Sequence, residues 1–219
     1  MIRPHLALRV ADYAWIARQQ VGTALVRTPP EAWSDGLGTP IVLLPGVWER
    51  WPIMAPLADR LNAVGHPIHV VPGLGFNRRP ILDAAARVAA RLDELDLTAA
   101  VLLAHSKGGL IGKAVLLGPA GHRVKRLIAI STPFGGSWYA GFMLVPSLRE
   151  FRPRATTIAT MAGQLEANVR ITSIFGTFDP HIPEGSRLPG ATNVEIPVEG
   201  HFRPLADERV AGAVESAAE

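Results

Sequence analysis

The 219-residue sequence predicts an α/β protein: a mostly parallel sheet of about six short strands, flanked by helices, with no large lid domain. Three observations predict it. Five or six short runs, such as IVLL at 41–44 and VLLA at 101–104, are apolar at nearly every position. Strands of that kind are buried on both faces, as in a parallel sheet covered by helices. The stretches between most of these runs have helical periodicity. The chemically suggestive residues fall just past the carboxyl ends of the runs, where open α/β sheets take their ligands. A hydrophobic fraction of 48% in this length supports one core, and the 21 glycines and 19 prolines fit many short turns.

Taken in order, residues 6–25 read as an amphipathic helix. Leu6, Val10, Tyr13, Ala14, Ala17, Val21 and Ala24 form its expected inner stripe. Packing across the domain is the first reading of that helix; attachment to a membrane interface, which Trp15 and the arginines would suit, is the second. Residues 28–39 form a connector. Strand 41–44 ends at Pro45-Gly46, a helix follows over 52–64, and strand 68–71 closes at Pro72-Gly73. An alanine-rich helix over 80–95 starts at Pro80. Strand 99–104 runs into a helix at 107–117. Strands at 124–130, 171–175 and 194–196 come next, and a closing helix occupies 204–218. The expected organisation is a single domain over 1–219, with a helical extension at 1–39 and a small cap-like segment at 134–165.

Composition excludes several functions. With no cysteine there is no disulfide, thiolate metal site or cysteine nucleophile, which fits a cytoplasmic protein and leaves secretion open. The net charge of +3 comes from 19 arginines and 3 lysines that are scattered, with only small clusters such as Arg78-Arg79 and Arg152 with Arg154. A nucleic-acid partner calls for a denser basic stripe and is not expected. The amino terminus carries Arg3, Arg9, Asp12 and Arg18 and has no apolar signal core, and no stretch reaches transmembrane length.

In VLLAHSKGGLIGKAVLL (101–117) a buried strand enters a small-residue turn and then a helix. A serine at such a junction sits on a tight elbow with its hydroxyl raised above the sheet. Ala104 and Gly108, two before and two after, meet the G-x-S-x-G pattern with alanine in the first position. Ser106 is therefore the candidate nucleophile; an ordinary helix N-cap is the alternative. The N–H of Lys107, at the start of the helix, is a natural oxyanion donor. In PIVLLPGVWERW the flexible Gly46 turns the next N–H toward the site, making Val47 the second donor, with Trp48 and Trp51 as walls of an acyl pocket.

A serine hydroxyl needs a histidine to take its proton, and the histidine needs an orienting carboxylate. Among seven histidines, His201 follows the last strand in EGHF, where this arrangement would put the base; His181 is the fallback. His105 adjoins the serine but should leave the elbow in another direction, which makes it structural. Asp179 follows strand 171–175 in GTFDPHIP and is the candidate acid, with an Asp-Pro turn as its alternative role. Glu199, Asp207 and Glu208 read as solvated charges. There is no H-E-x-x-H, and Asp179-x-His181 is only a pair, so no metal is expected.

LLPGVWERW, AHSKGG, ISTPFGG, GTFDPHIP and EGHF, in that order, resemble the lipase and esterase branch of the α/β-hydrolase superfamily, in particular the small bacterial lipases with a minimal sheet. The likeness spans roughly residues 40–215. It implies Ser106, Asp179 and His201 as a triad, Val47 and Lys107 N–H groups as an oxyanion hole, and ester hydrolysis through an acyl-enzyme without cofactor. Pro45 departs from the pattern, since these lipases often have histidine before the glycine. The segment from Ser131 resembles an entry into a cap, where Phe134, Trp138, Tyr139, Phe142 and Met143 would line an acyl channel. The expected partner is a small-molecule or lipid ester. Thioesterase, acyltransferase or phospholipid deacylase chemistry, and a non-catalytic binding protein of the same fold, remain as alternatives because specificity lies in the pocket.

Overall fold

The computed structural model describes residues 3–24, 30–141 and 146–219. In chain order its elements are α1 (Arg3–Ala24), β1 (Ile41–Leu44), α2 (Ala55–Ala63), β2 (Ile68–Val70), α3 (Ile81–Glu94), β3 (Ala100–His105), α4 (Lys107–Leu117) and β4 (Val124–Ile130). The short α5 (Pro146–Arg149), α6 (Thr156–Gly163), β5 (Ile171–Phe178), β6 (Thr192–Glu199) and α7 (Glu208–Ala218) complete them. The six strands form one sheet in the order β2-β1-β3-β4-β5-β6, and every pair is parallel. The chain winds outward from β1 to β2, crosses back to β3, and proceeds to the other edge. The winding reverses between β1 and β3, so the loops after these two strands flank the crevice in which such sheets bind ligands.

Strand side chains alternate between two cores. Val42, Leu44, Leu102, Ala104 and Ala129 pack with α3 and α4 residues such as Val88 and Leu110. Ile41, Leu43, Leu103 and Ile128 pack with Leu57 and Leu61 of α2 and Val210 and Val214 of α7. This double burial is the physical reason the strands read as unbroken apolar runs. The expected cap-like segment packs onto the first core through Phe134, Ala140, Phe151, Ile158 and Met161. It forms no large lid.

Two helices expected to be continuous are divided. The stretch over 52–64 opens with a 3₁₀ turn at Trp51–Met54 before α2, because Pro52 and Pro56 have no N–H to donate and fit only first turns. The last helix is preceded by a 3₁₀ turn at Arg203–Ala206. It then starts afresh from Asp207, whose carboxylate caps it by accepting the Arg209 N–H at 2.9 Å.

Helix α1 corrects the expected stripe. Val10 is 62% exposed, Tyr13 49%, and Ala14 and Ala17 are also exposed, whereas Asp12 and Ile16 are buried and Trp15 is half-buried. Leu6, Val21 and Ala24 lie where side chains fall outside the described residues. The inward face departs from the apolar stripe because its centre is a buried charged residue, Asp12. No described helix is long and apolar enough to cross a membrane.

Lys113 on α4 is 2% exposed, and burial pushes its ammonium down to about 8. It has no carboxylate at ion-pair distance among the described residues. Its folded value lies below the unfolded value near 10.4, so the cost of the buried charge is fully present below pH 8 and fades as pH rises toward 10.4. Lys113→Met is therefore expected to raise the melting temperature at pH 7 by about 5 °C. Melting curves at pH 7 and pH 10 check this; the gain should shrink at the higher pH.

Candidate active site

The nucleophile candidate rests on the geometry of one turn. Ser106, directly after β3, has φ 52° and ψ −119°, a left-handed conformation rare for a residue with a side chain. Its N–H donates to Ile130 O on β4 at 2.8 Å, and its carbonyl accepts from Thr132 Oγ1 at 2.9 Å and from the Gly109 N–H at 3.0 Å. The surrounding structure thus over-determines a strained backbone. Helix α4 presses so closely on β1 that a Cβ at Gly108 would lie 1.9 Å from Leu44 O, which is why only glycine fits there.

Three loops bring Ser106, His201 and Asp179 together. Ser106 Oγ lies 2.9 Å from His201 Nε2, and His201 Nδ1 lies 2.6 Å from Asp179 Oδ2. The other Asp179 oxygen accepts the N–H groups of His181 (2.7 Å) and Ile182 (3.2 Å), so the Asp-Pro turn and the orienting carboxylate are one arrangement. All three side chains are buried. Burial raises the Asp179 carboxyl, but the charge and hydrogen bond of His201 and the His181 N–H outweigh it and hold it below the usual carboxylate range. Burial lowers His201, and the Asp179 charge and hydrogen bond, with Glu49 and Asp12 beyond, more than reverse that and leave it raised.

Around this core stand residues the sequence reading left structural or did not single out. His105 is fully buried, with Nδ1 2.8 and 2.9 Å from the two oxygens of Glu49 and Nε2 donating to the His201 carbonyl at 3.0 Å. Both ring nitrogens are thus engaged, one by a side chain and one by the backbone. Asp12 of α1 accepts the His201 N–H at 2.8 Å. His181 donates or accepts through Nε2 at the Tyr13 hydroxyl (2.9 Å), and burial, followed by the His201 charge, pushes it down to about 3. It is a neutral ring in this setting.

On the oxyanion side, the Gly46 N–H donates to Glu49 Oε2 at 2.7 Å and the Trp48 N–H to Phe76 O at 2.7 Å. Val47 lies between these two engaged residues and faces the cavity. The Lys107 N–H opens α4, where a helix leaves its first donors without intrahelical partners. The Lys107 side chain turns the other way, donating to Asn77 O at 3.1 Å and to Arg79 O, and burial pulls it down to about 8. Asn77 in turn donates to Pro45 O at 2.6 Å, so the 72–80 loop braces the Pro45 turn.

Ser106 opens into a cavity of about 420 Å³. Its walls are apolar: Val47 and Trp48, Pro133 and Ala140, Leu148 and Phe151, and Ile182, Phe202 and Tyr13. Of the expected walls, Trp48 is present and Trp51, Phe134 and Trp138 are not. Trp51 packs edge-on against Trp33, ring centroids 5.5 Å apart, beneath the loop. Phe134 turns into the α3–α4 core, and Trp138 is 46% exposed, its N–H on Glu184 at 2.8 Å. Phe142 and Met143 lie outside the described residues, as does the side chain of Tyr139. Asp179, His181 and His201 offer ligand atoms within 4.8 Å of one another. Within that set the Asp179–His201 bond of 2.6 Å and the two N–H groups on the other Asp179 oxygen already engage the carboxylate, while His181 Nδ1 has no hydrogen-bond partner among the described residues.

Structural comparison fits this architecture. The chain superposes on a mature lipase from Bacillus licheniformis with a TM-score of 0.65 at 16% identity, covering 84% of this chain and 92% of that one. It superposes on a hydrolase from Oleispira antarctica with a TM-score of 0.63 at 15% identity, covering 88% and 98%. An extracellular α/β-hydrolase from a Paenibacillus species matches with a TM-score of 0.59 at 17% identity, covering 82% and 98%. This chain has the α/β-hydrolase fold. No family model and no curated protein sequence matches it. A linear motif describes the elbow after β3 only in part, since four of the residues that shape it (Leu44, Gly109, Ile130 and Thr132) lie outside the five from Ala104 to Gly108.

Proposed function

We propose that the chain is a serine-dependent carboxylic ester hydrolase of the esterase or lipase type, with Ser106, His201 and Asp179 as its triad. The observation that carries this reading is the continuous relay from Ser106 Oγ through His201 to Asp179, at 2.9 and 2.6 Å, opening on an apolar cavity. Ser106 attacks the ester carbonyl as its proton passes to His201 Nε2. The imidazolium formed is held through Nδ1–H by Asp179. The backbone N–H groups of Val47 and Lys107 receive the oxyanion. Collapse breaks the bond to the alcohol, which leaves with the proton from Nε2. Water, deprotonated by the same nitrogen, then attacks the acyl-enzyme, releasing the acid and restoring Ser106.

The cavity supports a neutral substrate. Most of its polar lining groups already have partners: His181 Nε2 with Tyr13, Ser137 with the His181 carbonyl, Glu49 with His105, and His201 with Asp179 and Ser106. A volume of about 420 Å³ lies toward the small end of ligand pockets, so acyl chains of about four to eight carbons should turn over fastest. Rates on a p-nitrophenyl ester series, with a thioester and a phospholipid alongside, test this. An optimum at sixteen carbons would contradict the pocket assignment, and a faster thioester would move the activity to a thioesterase. Fluorophosphonate labelling tests the nucleophile directly: folded protein that takes no label at Ser106 would overturn the proposal.

A further inference from the structure

The backbone of His201 is held at both its N–H and its carbonyl, each by buried ionisable residues. Its N–H donates to Asp12 Oδ2 at 2.8 Å, and the next two N–H groups, Phe202 at 3.2 Å and Arg203 at 3.4 Å, donate to Asp12 Oδ1. Its carbonyl accepts from His105 Nε2 at 3.0 Å, and His105 is backed by Glu49. Glu49 also accepts the Gly46 N–H at 2.7 Å, tying the loop of the base to the loop of the proposed oxyanion donor. Gly200, with φ 114°, admits the carboxylate; a Cβ there would lie 2.7 Å from Asp12 Oδ1.

Asp12 comes from the middle of α1, 189 residues away, where aspartate has low helix propensity and no cap to form. A fully buried carboxylate is tolerated only when hydrogen-bonded, and three backbone N–H groups of one loop satisfy this one. Its helical neighbours face the same loops: Arg9 donates to Pro180 O at 2.6 Å, and Tyr13 contacts His181. We propose that Asp12 is a positioning residue for the base, fixing the His201 N–H from α1 while His105, backed by Glu49, fixes the His201 carbonyl. This rests on the reading of Ser106, His201 and Asp179 as the triad. A displacement of the ring by about 1 Å is enough to cost roughly 100-fold in rate, so a clamp on this peptide acts on kcat.

The charged and titratable groups facing His201 are Asp179, Asp12 and Glu49, with His105 and His181 beside it and Arg9 beyond. Removing one carboxylate from this group disfavours the imidazolium. Asp12→Ala is expected to lower kcat about 10- to 100-fold with KM changed less than about 3-fold. Asp12→Asn keeps one acceptor oxygen and should recover most of that loss, yet both variants should move the His201 titration, read by NMR of labelled histidine, to lower pH. If Asp12→Ala does not fold, Asp12→Asn decides alone. An Asp12→Asn protein with unaltered kcat and an unaltered His201 titration overturns the proposal, as does an Asp12→Ala protein that loses only thermal stability. Because the NMR titration needs no turnover, a wild-type protein that neither hydrolyses esters nor takes a fluorophosphonate refutes the triad separately.

Discussion

Ser106→Ala is expected to reduce kcat/KM on a short-chain ester by about 10⁴-fold or more, with the melting temperature nearly unchanged. In the proposed mechanism this removes the one atom that forms the acyl bond, while the cavity and the proposed backbone donors remain and leave a residual rate. The fold should tolerate the change because alanine keeps the Cβ. The left-handed turn at φ 52° is held by the Ser106 N–H, the Ser106 carbonyl and the close packing at Gly108, none of which involves the hydroxyl. Initial rates on p-nitrophenyl butyrate beside a thermal melt make the check. Turnover within tenfold of the parent would remove Ser106 from the mechanism.

Asp179→Asn is expected to lower kcat by about 10⁴-fold. The amide is nearly isosteric, but it can present its NH₂ to His201 Nδ1 and turn the ring to the tautomer whose Nε2 carries a hydrogen. That tautomer cannot take the serine proton. The pH profile supplies a second readout. His201 is raised above its ordinary value near 6.5, and it acts as a base only when neutral, so parent activity should rise with pH through a midpoint above 6.5 and be lost below it. Without the Asp179 charge that midpoint should fall, because burial, which opposes the imidazolium, then meets less opposition. Measuring kcat/KM from pH 5 to 9 for both proteins checks the direction; a variant with the parent's rate and midpoint would argue for the Asp-Pro turn as the only role of Asp179.

Two of the three legible parts of the site share a physical cause. Ser106 and Asp179 each lie just past a strand whose buried residues read as an apolar run, and His201 follows β6, an edge strand that is largely exposed and was legible only from its short apolar centre and the glycine after it. Ser106 follows β3 directly, Asp179 follows β5 and His201 comes two residues after β6. The expectation that His105 leaves the elbow in another direction from Ser106 fits its contacts with Glu49 and the His201 carbonyl, neither of which the sequence singled out. The pocket was not legible in the same way. Trp51 and Trp48 are three residues apart, yet one packs against Trp33 in the core and the other lines the cavity. Aromatic residues carry the same hydrophobic drive in both places, and only the path of the loop separates them.

Helix α1 shows the limit most plainly. Its apolar residues suggested one inward face, and the structure buries another, centred on Asp12. One signal was present: Asp12 is the only acidic residue in the first 30 positions. Nothing local could say that its carboxylate meets the N–H groups of residues 201–203. The sequence by itself determined the parallel α/β sheet, the strand order of the reactive loops along the chain, and the identity of Ser106, Asp179 and His201 as the residues to watch. All of these follow from periodicity and from what lies next to what in the chain. Tertiary structure alone decided which aromatics face the cavity, that His105 leans on Glu49, and that a helix from the far end of the chain holds the loop of His201. Those facts depend on contacts between segments far apart in sequence, which neither local periodicity nor the identity of a residue's chain neighbours encodes.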